Sequence, residues 1–265
     1  MTVDPLAIVA LALVIAAVPS ALMLGRRLAR ADRALTIAAV VCVGFIGLWF
    51  YAEEYSDLGL RVVRWDDFVY LERIPLYFAI LMLIGLCLPR LGQSTRRGVG
   101  VVTVLFSLYA VAEVGAPAAL PLYAGQLSAD TTGPDEVTQS TGWSCGAAAL
   151  AWAARLKGVP ASERQMAGLA VIAPLRGAKL RGLVRALHSV GLAAEAKRRA
   201  RWEELLAAPK PALVGWKLSA TVGHVVVVIE ASASSVTVGD PLLGQMDYSG
   251  HEFLQSWDRD LVVIQ

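Results

Sequence analysis

Apolar positions are spread unevenly along this 265-residue chain. In the first half they form four long runs separated by short charged loops, and in the second they break into brief stretches of mixed period. A helix needs about 20 residues to cross the hydrocarbon of a bilayer. Residues 5–24, 34–52, 70–88 and 99–117 approach that length. The third run is apolar mainly from Ile74 to Leu88 and borrows from Phe68 to Leu71 if tilted, while Pro117 and Pro121 mark the exit of the fourth. Residues 1–123 are therefore expected to form a transmembrane region. A signal peptide is the other reading of the first run, and it fits poorly because Met1-Thr2-Val3-Asp4 has no basic side chain.

Residues 124–138 are rich in Gly, Ser, Thr, Asp and Pro, lack periodicity and read as a linker. Residues 139–265 then have the patterning of one globular domain. Residues 145–156 are apolar on nearly every face, which predicts a central buried helix. Further helices are expected over 164–170, over 180–190 (closed by Gly191) and, briefly, over 202–207. After Pro211 the pattern changes to short β-branched runs at 212–217, 224–231, 235–239 and 261–264, which read as antiparallel strands. Helices first and strands later predict an α+β domain with the 145–156 helix packed on the sheet.

Charge orients the membrane region. Arg26, Arg27, Arg30 and Arg33 lie between the first two runs, and Arg90, Arg96 and Arg97 between the last two. The second connection, 53–73, is mostly acidic and carries only Arg61, Arg64 and Arg73, and residues 124–138 contain no Lys or Arg. Basic loops face the cytoplasm, so both termini and the 139–265 domain are expected outside it. Within the second connection, Leu58, Val62, Trp65, Phe68 and Val69 recur at helical spacing, as in an interfacial amphipathic helix. Simple anchoring is the first expectation for it, and a floor beneath the soluble domain the second. Glu113, near the outer end of the fourth run, is expected at the interface or protonated rather than as a functional carboxylate.

Composition agrees with this division. The chain is 56% hydrophobic with a mean hydropathy of +0.57, too apolar for an ordinary soluble domain. Its net charge of +2 gives no argument for a nucleic-acid partner. Cys42, Cys87 and Cys145 form no disulfide framework and no pair has metal-ligand spacing.

Candidate chemistry sits in the second half. Gln139 lies six residues before Cys145 in Gln139-Ser140-Thr141-Gly142-Trp143-Ser144-Cys145-Gly146. A side-chain amide so placed can fold back and donate to a developing oxyanion, and a cysteine opening a helix is favoured as thiolate by the dipole. Three histidines compete for the role of base. His188 lies on a predicted helix beside Arg181, Arg185 and Ser189, and His251 follows Gly250 in a turn. His224 precedes the buried run Val225-Val226-Val227-Val228-Ile229, which places its ring at a sheet end. Asp240, after the next strand in Val238-Gly239-Asp240-Pro241, can meet His224 there and orient it.

From about residue 132 to 265 the chain resembles the bacteriocin-processing family of papain-like cysteine peptidases, known from peptide-exporting ABC transporters that remove double-glycine leaders. The matching elements are Gln139 with Ser144-Cys145-Gly146, Gly182-Leu183, Pro211 to Trp216, Gly223-His224-Val225-Val226-Val227, Asp240-Pro241 with Gly244, and Phe253 to Trp257. The resemblance implies Cys145 as nucleophile, His224 as base and then acid, Asp240 as orienter, and Gln139 with the Cys145 N–H as oxyanion hole. It implies no cofactor and no metal, and a peptide or protein substrate. A partner transporter and a multi-pass location in a bacterial plasma membrane follow from the same resemblance together with the four runs. Ser144 departs from the Asp that many members carry before the cysteine, and no GxxxxGK[ST] loop occurs, so no ATPase is expected within this sequence. The expected function is thus a membrane-anchored cysteine endopeptidase in leader or exported-peptide processing. Its alternatives are a thiol amidase or transpeptidase on cell-wall peptides and a non-catalytic peptide-binding domain attached to a transporter.

Overall fold

In the computed structural model, which describes residues 2–55, 57, 59–60, 65–131, 135–219 and 223–265, the apolar runs of the first half are helical. They are α1 (Pro5–Leu28), α2 (Asp32–Phe50), α3 (Ile74–Cys87) and α4 (Gln93–Gly115). With their flanking turns they give four helices long and apolar enough to cross a membrane. Asp4 starts α1, its carboxylate accepting from the Leu6 N–H at 2.9 Å with Pro5 in the first turn. Helices α1 and α3 cross where two glycines meet. A β-carbon at Gly25 would lie 2.3 Å from the Met82 carbonyl oxygen, and one at Gly85 2.7 Å from that of Leu22. Small residues are what let helices approach so closely where hydrophobic burial supplies little drive. Glu113 is buried inside this unit and accepts a hydrogen bond from the Tyr77 hydroxyl at 3.2 Å.

The second compact unit comprises Ser56–Val69 and Ala119–Gln265 together with the first two residues. Its centre is a six-stranded antiparallel sheet of order β1-β6-β2-β3-β4-β5. The strands are β1 (Ala194–Lys197), β2 (Ala212–Lys217), β3 (Gly223–Ala231), β4 (Ser235–Asp240), β5 (Gly244–Ser249) and β6 (Trp257–Ile264). Helices α5 (Cys145–Leu156), α6 (Glu163–Leu169) and α7 (Leu180–Ser189) share one core with Leu213, Val227, Val262 and Ile264. Helices α8 (Trp202–Ala207) and α9 (Gly250–Ser256) share a second with Val214, Val226, Val228 and Trp257. Cover on both faces explains why β3 reads as an unbroken apolar run instead of an alternating one. The α+β reading therefore holds, with the cysteine helix on the sheet as expected.

Three elements depart from the sequence reading. Strand β1 and strand β5 were not expected, and β6 starts four residues earlier than residue 261. Strand β5 is an edge strand with mostly exposed side chains, so it carries no apolar alternation to detect. The stretch 124–138 is also less free than its composition implies. Leu127 and Val137 are buried, the Arg164 guanidinium donates to the Leu127 carbonyl at 2.9 Å, and the Arg164 N–H donates to the Ser128 carbonyl at 2.9 Å.

The connection between the second and third apolar runs touches the soluble domain at its described residues. Leu58 and Val62 lie outside the described residues. Asp66–Tyr70 is a single 3₁₀ turn, and the segment packs on α7. The Arg185 Nε donates to Asp67 Oδ1 at 2.7 Å, His188 Nδ1 lies 2.7 Å from Asp66 Oδ2, and Arg181 Nη2 donates to the Gly59 carbonyl at 3.0 Å. The Arg176 guanidinium donates to the Val69 carbonyl, and the Val69 side chain is fully buried. At residues 59, 66, 67 and 69 the connection is thus strapped to the soluble domain, its acidic residues meeting a basic helix face.

Candidate functional site

Cys145 is the first residue of α5, and Ser144 in front of it sets the local backbone. Ser144 is fully buried and does not cap the helix with its side chain. Its hydroxyl instead donates to the Thr141 carbonyl at 3.1 Å and accepts from the Thr141 N–H at 3.1 Å and the Thr141 hydroxyl at 2.9 Å. The hydroxyl closes the 141–144 loop on itself, and the first N–H groups of the helix are left for another acceptor. Gly146 explains the residue after the cysteine: a β-carbon there would lie 2.5 Å from Ala178 Cβ. The loop that runs into α7 can thus close on the start of α5.

His224 and Asp240 come from neighbouring strands at one sheet end, where β3 begins and β4 stops. His224 Nε2 donates to Asp240 Oδ1 at 2.8 Å, and both side chains are almost wholly buried. A carboxylate can only accept, so Nε2 carries the proton and Nδ1 is the ring nitrogen left for a second partner. Burial works against the imidazolium, but hydrogen bonds to Asp240 and to Cys145 outweigh it, and the ring pKa is pushed up to about 9 from 6.5. Burial likewise works against the Asp240 carboxylate. Hydrogen bonds from His224 and from the Leu242 N–H, the latter at 2.8 Å, hold its pKa below the ordinary aspartate value.

Gln139 is tied to the same corner through its backbone, its N–H donating to the Pro241 carbonyl at 2.9 Å. Its side-chain Nε2 donates to the Thr141 carbonyl at 2.8 Å, while its buried Oε1 has no partner. The contact with a carbonyl fixes which end of the amide is nitrogen. One of its two amide hydrogens is used in this contact.

His188 and His251 stand elsewhere. His188 is in the strap contact with Asp66, and His251 Nε2 lies 2.9 Å from Gln255 Nε2 on α9. Sequence reasoning missed Glu163. This fully buried carboxylate accepts from the Ser140 N–H at 2.8 Å, the Ser128 N–H at 3.0 Å and the Ser140 hydroxyl. It thereby holds the backbone next to Gln139. The signal was a Ser162-Glu163 start to a short helix, which reads as a cap rather than a buried staple; Ser162 does cap it, accepting from the Gln165 N–H at 3.1 Å.

A thiol at a helix start, a buried imidazole–carboxylate pair and a side-chain amide on the preceding loop can carry out nucleophilic acyl transfer. Residues 135–265 match the model of the Peptidase C39 family. No curated protein matches the chain. Among solved structures it is similar to a double glycine motif protease from an AMS/PCAT transporter in complex with the leader peptide, at 20% identity over 51% of this chain and 92% of that one, with a TM-score of 0.44. It is also similar to the peptidase domain of Streptococcus ComA, a bi-functional ABC transporter involved in a quorum sensing pathway, at 21% identity over 48% of this chain and 95% of that one, with a TM-score of 0.44. The ComA peptidase domain of Streptococcus mutans follows at 19% identity over 50% of this chain and 99% of that one, with a TM-score of 0.40.

Proposed function

We propose that this chain, with a Peptidase C39 domain over residues 135–265, is a membrane-anchored cysteine endopeptidase acting on an extended peptide. The observation that carries the reading is the buried His224–Asp240 hydrogen bond at 2.8 Å. The Cys145 sulfur attacks the scissile carbonyl, and the oxyanion is met by the Cys145 N–H and the free hydrogen of Gln139 Nε2. His224, protonated at Nδ1, gives its proton to the leaving amine, and the carbon–nitrogen bond breaks to leave a thioester on Cys145. Water, deprotonated by the now neutral His224, attacks the thioester and restores the thiol. Asp240 holds the ring in the required tautomer and favours the imidazolium throughout.

Two features support a site outside the cytoplasm. The arginine-rich loops lie between the first and second and between the third and fourth runs. The strap at residues 57–69 belongs to the same compact unit as the peptidase domain, which fits a chain whose third and fourth helices both cross the bilayer. The substrates are then leaders or segments of exported or membrane-tethered peptides, cut near the bilayer.

The test uses the full chain in detergent, a peptide library that includes double-glycine sequences, and product masses. Wild type should release two fragments per cleaved peptide and Cys145→Ala none. Fragments from Cys145→Ala would overturn the nucleophile, amide-to-acid or transfer masses would reassign the reaction to an amidase or transpeptidase, and binding without turnover would leave a recognition domain. A reporter fused after Gln265 should be active only outside the cytoplasm.

A further inference from the structure

The membrane unit contains a cavity of about 930 Å³ at the arginine-rich ends of its helices. Its lining includes Leu22 and Arg26 of α1 and Arg96, Arg97, Val101 and Leu105 of α4. The space follows from how these helices diverge. At the opposite end α1 and α4 are in contact, where a β-carbon at Gly115 would lie 2.8 Å from Leu11 Cδ1. At the arginine end α1 is committed to α3 through the Gly25–Gly85 crossing. There α4 presents Gly98 and Gly100, at which an added β-carbon would meet nothing within 4 Å.

The cavity has two chemical halves. Arg96 Nη2 donates to the Pro89 and Leu91 carbonyls at 3.1 and 3.0 Å, which fixes its guanidinium beside the α3–α4 turn. Among the described residues, Arg26 and Arg97 have no hydrogen-bond or ion-pair partner. Neither stretch 22–31 nor stretch 88–112 contains an Asp or Glu to neutralise the three charges. Beneath them the wall is aliphatic, formed by Leu22, Val101 and Leu105. A water-soluble anion would use the cationic half and leave the aliphatic half bare, whereas a zwitterionic lipid would bring its own cation against the arginines. Only an anionic amphiphile satisfies both halves.

We propose that this cavity binds one anionic phospholipid of the phosphatidylglycerol class, its phosphate among Arg26, Arg96 and Arg97 and an acyl chain along Leu22, Val101 and Leu105. The site is independent of the peptidase reading. A basic side chain near an anionic lipid surface strengthens attachment on the order of fivefold, so removing two arginines should weaken binding about 25-fold.

The experiment is native mass spectrometry of the full chain in detergent, titrated with phosphatidylglycerol or phosphatidylcholine. Wild type should retain one phosphatidylglycerol and prefer it over phosphatidylcholine by about tenfold or more. The double variant Arg96→Ala/Arg97→Ala should lose that retention. Gly100→Leu, which fills the space and keeps every charge, should lose it as well. Arg30→Ala/Arg33→Ala, on the same basic side but outside the cavity lining, should keep it, and excess inorganic phosphate should not compete. Absence of headgroup preference, equal loss from the Arg30/Arg33 variant, retention by Gly100→Leu or competition by phosphate would each overturn the proposal.

Discussion

Trp152 fills the space above Gly239 that any other residue would claim for its side chain. A β-carbon at 239 would lie 2.8 Å from Trp152 Cζ2. Gly239 precedes Asp240, and Trp152 lies on the helix that begins with Cys145, so this contact sets how closely that helix approaches the strand carrying Asp240. Trp152 is almost fully buried and cannot swing aside.

Replacing Gly239 with Ala should therefore push helix and strand apart. Overpacking of this kind costs about 1–3 kcal/mol. Thermal unfolding should show the loss, and kcat should fall more than KM changes because Cys145 and His224 are drawn out of register. Trp152→Phe in the same chain should recover part of both, and a Gly239→Ala protein with wild-type stability would refute the contact.

The pH dependence follows from His224. Its pKa is raised on folding from 6.5 to about 9, so protonation contributes stability fully below 6.5, and that contribution is lost as pH rises through 9. The leaving amine needs the same proton, so kcat/KM should fall on an alkaline limb near pH 9. Asp240→Asn removes the principal hydrogen bond that keeps the imidazolium and should move the limb toward lower pH. An unmoved limb would assign the titration to another group.

Gln139→Ala removes one donor to the oxyanion while leaving the thiol in place. Loss of one such donor costs on the order of 10²–10³ in kcat. Alkylation of Cys145 by iodoacetamide, which forms no oxyanion, should proceed at the wild-type rate. Equal loss in both assays would mean that the amide only shapes the loop.

Glu163 bears on stability through the backbone beside Gln139. Glu163→Ala takes the acceptor from the Ser140 N–H and the Ser140 hydroxyl and leaves the Ser128 N–H only the Ser140 hydroxyl oxygen at 3.2 Å, and hydrogen bonds to charged groups contribute about 1.5–3 kcal/mol each. A loss of about 3 kcal/mol or more is expected in chemical denaturation, with Glu163→Gln losing less because its carbonyl can still accept. Full stability of the Ala variant would place the staple's contribution elsewhere.

The candidate site can be assembled from the sequence because each proposed member marks a boundary in its pattern. Cys145 opens an alanine-rich run, His224 precedes five β-branched residues, and Asp240 precedes a proline. Elements with weak apolar patterning were not legible. Strand β1 is four residues of Ala-Glu-Ala-Lys, and the start of β6 is Trp-Asp-Arg-Asp, sequences with no strand signature of their own that pair only because neighbours hold them. Glu163 and the Asp66 and Asp67 contacts were hidden for a different reason. Their partners are far away in sequence, and a single chain read along its length gives no distance between them.

The sheet order has a consequence for the protein's synthesis. Strand β6 lies between β1 and β2, so those two strands share no neighbour until residues 257–264 have left the ribosome. Val262 and Ile264 also complete the core under the helix that presents Cys145. Domains fold as units while the chain emerges, and here the four apolar helices come first and the closing strand comes after every other element of the candidate site. The packing beneath Cys145 is thus completed only after helices α1–α4 have been made, so under the proposed function cleavage begins once the apolar helices are already available as an anchor.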